Sequence, residues 1–147
     1  MEDTLTRGFV AGIIGGIPTN AYSLFAGAIG ITNLRTVDLI GALLYAYSPP
    51  FGYGEIVLAL VGHLLISGIL GICFAYFIPI VTSRNIFLKG WLFSITIWFL
   101  VYAGATLFQV PGTVPTSLNT TITDLVSASI FGLVLPFALR KLTPSYS

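Results

Sequence analysis

A chain of 147 residues suits one compact unit, since domains run to roughly 100–200 residues. Of its positions 56% are hydrophobic, 14% aromatic and 7% charged; a water-soluble domain carries about 25% charged residues, so a chain with mean hydropathy +0.97 faces lipid over most of its area. The formal charge of +1 excludes the basic field that nucleic-acid binding needs, and a lone cysteine, Cys73, excludes an internal disulfide and a cysteine-rich metal site.

The six basic and five acidic residues leave four uncharged runs: Phe9 to Ile31, Ile56 to Val81, Gly90 to Val110 and Leu125 to Leu139. About 20 apolar residues cross a hydrocarbon core of about 30 Å, so an all-α membrane fold is expected, a four-helix bundle in one domain over 1–147. The spans are placed at about 9–31, 55–81, 88–110 and 122–139. The long runs lack the polar and apolar alternation of a membrane barrel. Glu2 and Asp3 outweigh Arg7 ahead of the first run, which disfavours a cleavable signal despite the small residues Ala26-Gly27-Ala28.

The first span opens with Gly8, Gly12 and Gly16, a glycine zipper that lets a second backbone approach. Related spacings at Ser67 with Gly71 and at Ala128 with Gly132 make these glycines the expected packing face, within one bundle or between copies. Pro18 predicts a kink eased by Thr19, Asn20 and Ser23. Between the first two spans, residues 37–47 read as a short interfacial or re-entrant helix, with Thr36 as its cap, Asp38 at its positive end and Pro49-Pro50 as its stop. Tyr45, Tyr47, Phe51 and Tyr53 suit the water-lipid boundary.

Glu55 heads the second span and Thr121-Ile122-Thr123-Asp124 reads as the cap of the fourth, so both acids are expected to be cap groups, with Asp124 at the headgroup level. Counting about 1.5 Å per residue puts Asn20 and His63 at one depth, where they are expected to meet, with Ser67 and Ser127 nearby. Trp91, Trp98 and Tyr102 share one face of the third span and read as lipid-facing or packing aromatics. Arg7, Arg84, Lys89, Arg140 and Lys141 flank one end of the bundle and Arg35 alone the other, so both termini are expected in the cytoplasm.

Two cation-glycine-aromatic openings, Arg7-Gly8-Phe9 and Lys89-Gly90-Trp91, hint at tandem hairpins, and setting Gly71 over Gly132 also sets His63 over Asp124. With these openings the chain resembles small four-helix inner-membrane proteins of bacteria, a resemblance that carries no active residue with it. One histidine and one cysteine cannot form a usual zinc site, and no catalytic constellation or cofactor motif is visible. The expectation is therefore a non-enzymatic scaffold or accessory subunit, without cofactor or metal, whose partners are the bilayer and a second copy or another membrane protein. The alternative is a small transporter or channel with a polar midplane site formed by Asn20, His63, Ser67 and Ser127. A polar cavity reaching His63 favours the alternative; a dry, packed interior favours the scaffold.

Overall fold

The structure, a computed structural model, describes residues 3–114 and 116–143. Among these it has five helices and no strand: α1 Thr4–Ala28, α2 Thr36–Tyr45, α3 Tyr53–Phe77, α4 Ile86–Leu107 and α5 Leu118–Leu142. The four long helices are long and apolar enough to cross a membrane. All four start before the uncharged runs, because a cap rather than the first apolar residue decides where a helix begins. Asp3 accepts from the Thr6 amide, Asn85 from the Leu88 amide and Ser117 from the Thr120 amide. Ser117 thus displaces Thr121 as the cap of α5, and Asp124 lies nearly two turns inside the helix rather than at its mouth. For α3 the expected cap role of Glu55 is seen: its Oε2 accepts from the Gly52 amide at 2.8 Å.

At α2 the capping differs from expectation. Arg35, not Thr36, is the cap residue. Its amide and its guanidinium both donate to Asp38 at 2.8–2.9 Å, and the Thr36 amide donates to Ser23 Oγ of α1 at 2.8 Å. The helix ends at Tyr45, before the prolines, where Ala46 turns left-handed at φ 58°. The chain then folds the rings of Tyr45, Tyr47 and Phe51 together, with centroids 5.2–6.1 Å apart, while Tyr53 stays exposed. Tyr47 donates to the Glu55 carboxylate, which pushes its phenol up to about 12.

The glycines decide which helices touch. A Cβ on Gly12 would fall on the Ser67 carbonyl, one on Gly71 on the Gly8 carbonyl, and one on Gly16 2.7 Å from Ser67 Oγ. The Gly8, Gly12 and Gly16 face is therefore filled by α3 of the same chain. Of the two partners expected for this face, the structure shows the one within the bundle: close backbone packing on α3 consumes it. A second seam joins α4 to α5, where a Cβ on Gly132 would lie 2.7 Å from the Gly90 carbonyl. Gly8 against Gly71 and Gly90 against Gly132 are the pairs that the alignment of the two hairpins superposes.

The seams give a spatial order α3, α1, α5, α4, with α1 packed on both α3 and α5. Consecutive helices α3 and α4 are not close-packed, contrary to what their short connection suggests. They meet chiefly through rings, Phe93 against Phe74 and Phe77 with centroids 5.4 and 5.9 Å apart. Ala11, Phe74, Phe131 and Leu135 form the dry cluster beside this wedge. At the same end Arg7 and Arg140 lie with Ile78 and Ile86, and buried Lys89 extends its Nζ to the Ile78 carbonyl at 2.8 Å, a cation satisfying the open C-terminus of α3.

Candidate functional site

Tight glycine seams on one side and an aromatic wedge on the other leave a gap between them. Its volume is about 120 Å³. Three of the four long helices line it with one stripe each at helical spacing: His63, Ser67 and Leu70 from α3; Ser94, Ile97, Trp98 and Val101 from α4; Asp124, Ser127, Ala128 and Phe131 from α5. Thr19 of α1 contributes, and Thr36 and Leu39 bring the start of α2 over the gap. Val101 is 40% exposed, so the cavity reaches the outer face of the bundle at α4.

Several lining hydroxyls are spent on backbone carbonyls. Thr19 donates to the Gly15 carbonyl and Ser67 to the His63 carbonyl, each at 2.8 Å, and Ser94 reaches the Ala128 carbonyl of α5 at 2.5 Å. Ser67 is thereby bonded to the backbone of His63 and not to its imidazole, so the two do not form a nucleophile and base pair.

The remaining polar groups behave differently. His63 Nδ1, Trp98 Nε1, Asp124 Oδ1 and Ser127 Oγ are buried and have no hydrogen-bond partner among the described residues. All four belong to residues that line this one cavity. Native proteins pair nearly all their buried polar atoms, so each orphan calls for an explanation, and four on one cavity call for a common one. Asp124 is held in place from its other oxygen, where Oδ2 accepts from Tyr102 at 2.7 Å. The Tyr102 ring in turn packs on Trp98, with centroids 5.2 Å apart. A chain Trp98, Tyr102, Asp124 thus presents one free carboxyl oxygen to the cavity from a rigid support.

Of the four residues predicted from sequence, the structure brings His63, Ser67 and Ser127 onto one cavity and leaves Asn20 off it. Asn20 is buried with its Oδ1 unpartnered, but it lies one turn beyond Gly16 on the stripe that packs on α3, and Thr19 takes the cavity position instead. A shared depth fixes height along the bundle and not the direction a side chain faces. Asp124, Trp98 and Tyr102 were missed. A local pattern makes the acid a cap, and spacing makes the aromatics lipid-facing or packing groups; the structure shows packing, with Trp98 on Tyr102 and Trp91 of the same stripe donating to Ser129 Oγ on α5 at 3.0 Å. One signal pointed the right way: the hairpin alignment that sets His63 over Asp124 puts the two ionisable cavity residues in equivalent places.

Among the described residues no group of three or more His, Cys, Asp or Glu is gathered to hold a metal, and Cys73 is exposed. The arrangement provides an acid, an imidazole, an indole N–H and a hydroxyl around an otherwise apolar hollow. Comparison of the chain with protein-family models, curated proteins and solved structures gives no match.

Proposed function

We propose that the chain is a small multi-pass transporter or channel of a bacterial inner membrane, in which the cavity between α3, α4 and α5 receives a small polar solute. The observation that carries this reading is the convergence of His63 Nδ1, Trp98 Nε1, Asp124 Oδ1 and Ser127 Oγ, all unpartnered, on one hollow. Polar and ionisable groups inside a membrane are costly and mark solute or ion pathways. Drug-sized ligands occupy pockets of roughly 300–1,000 Å³, so a cavity of about 120 Å³ suits a solute of a few heavy atoms. The excess of Lys and Arg at the end carrying both termini supports a cytoplasmic position for that end. The scaffold reading draws less support, because its glycine face is occupied within the chain and the interior retains a hollow whose lining residues carry unpartnered polar atoms.

Proteoliposome swelling tests the proposal with urea, glycerol, methylammonium chloride and ammonium acetate as probes. Faster swelling than protein-free liposomes is expected for at least one probe, with loss of the effect in Ser127→Phe, whose ring fills the hollow. Swelling equal to protein-free liposomes for every probe would remove the reading.

A further inference from the structure

The solute class follows from what the cavity lacks as much as from what it holds. Asp124 is a carboxyl group among apolar neighbours, and among the described residues no Lys or Arg lines the hollow. The nearest cation along the lining elements, Arg35 beside Thr36, is committed to Asp38 through two hydrogen bonds. A carboxylate withdrawn from water without a cation is strongly disfavoured, so the group must keep a proton or meet a positive charge that enters. An anion has nothing to balance it here. A bare metal ion finds too few oxygen and nitrogen ligands, since Leu70, Ile97, Val101 and Phe131 form most of the remaining wall. A cation with an apolar body suits both parts of the lining: its charge against Asp124 Oδ1, its carbon against the aliphatic wall, and the rings of Trp98 and Phe131 within a lining that favours ammonium groups.

We infer that the ligand is a small organic monocation of the alkylammonium class, bound at Asp124 in competition with a proton. This rests on the reading of the cavity as a solute site. The titratable groups around the carboxyl are Tyr102 from α4, which donates to it, and His63 from α3, which lines the same cavity; α1 and α2 bring only Thr19, Thr36 and Leu39. Cation binding therefore weakens on acidification, when protonated Asp124 loses its charge and any protonated His63 adds repulsion. Because proton and cation exclude each other at one oxygen, the site has the elements of a cation-proton exchanger.

The test uses Ser127→Cys in a Cys73→Ser background, reconstituted in lipid. The rate of modification by 2-aminoethyl methanethiosulfonate is divided by that for the 2-sulfonatoethyl reagent, and the ratio is compared with that of free cysteine. A ratio raised by at least about tenfold is expected, equivalent to about 1.4 kcal/mol of electrostatic preference. It should fall to the free-cysteine value in Asp124→Asn, and methylammonium chloride should slow modification in the protein that retains Asp124, less so at acid pH. If Asp124→Asn does not fold, the methylammonium protection decides alone. Modification with the free-cysteine ratio and no protection would overturn the cation while leaving the solute cavity standing. A thiol that even neutral methyl methanethiosulfonate cannot reach would remove the cavity reading itself.

Discussion

Helix α3 has two sides with opposite physics. Toward α1 it presents Ser67, Gly68 and Gly71, and the approach is so close that Gly12 and Gly71 have no room for a Cβ. Toward α4 the same helix presents His63 and Leu70 to a hollow lined by unpartnered polar atoms. In lipid no solvent drives helices together, so association rests on backbone proximity, and whichever pair has the small residues closes first. The α1–α3 and α4–α5 seams close that way. Bulky Phe74, Phe77 and Phe93 then hold α3 and α4 apart, and the gap that remains is the site. On the proposed function, stability and binding fall on different faces of one helix.

Substitutions on the two faces should differ in sign as well as size. The largest effect is expected from Gly12→Leu, whose side chain would be driven into the Ser67 carbonyl. We expect a loss of about 3 kcal/mol or more, seen as failure to recover folded monomer in detergent or as a collapsed melting temperature. Because the seam is internal, the failure should be one of folding and not of assembly. Retention of the wild-type melt would contradict the packing described here.

Tyr102→Phe comes next. It frees the second oxygen of Asp124, and a loss of about 1–2 kcal/mol is expected, measurable by thermal or denaturant unfolding in the same detergent. Asp124→Asn should move the other way. An amide costs less to bury than an uncompensated carboxylate, so a gain of about 1 kcal/mol is expected at neutral pH, together with loss of cation-dependent protection. A stabilised but inactive variant would mark the cavity face as strained for binding, whereas a destabilised one would show that Asp124 serves the fold. The smallest effect belongs to Ser127→Ala, within about 0.5 kcal/mol of wild type, because its hydroxyl has no partner to lose.

The sequence makes the helix count legible for a simple reason: ionised side chains are nearly absent from four stretches, and a bilayer permits little else to cross it. It makes the glycine seams legible as close-approach faces, since the small side chains are the cause of the approach. It does not say which partner a seam meets: packing within one bundle and packing between copies are both open from the spacing, and the zipper is the α1–α3 interface. Helix starts are misjudged where a hydroxyl upstream competes, as Ser117 does with Thr121. That slip moves Asp124 from the mouth of α5 to nearly two turns inside it, onto the cavity that His63 lines. Asn20 and Thr19 differ by one residue and about 100° around α1, which is enough to put one in a seam and the other on the cavity.

Hydration of the single histidine tests the contrast between the two faces most directly. In protein labelled with 15N at His63 and Asn20 and reconstituted in lipid bilayers, water-edited magic-angle-spinning NMR reports how fast polarisation passes from mobile water to each side chain. Rapid build-up at the His63 imidazole with slow build-up at the Asn20 amide is predicted. Slow build-up at both would mean a dry interior, and the hollow between α3 and α4 could then be no route or resting place for a polar solute.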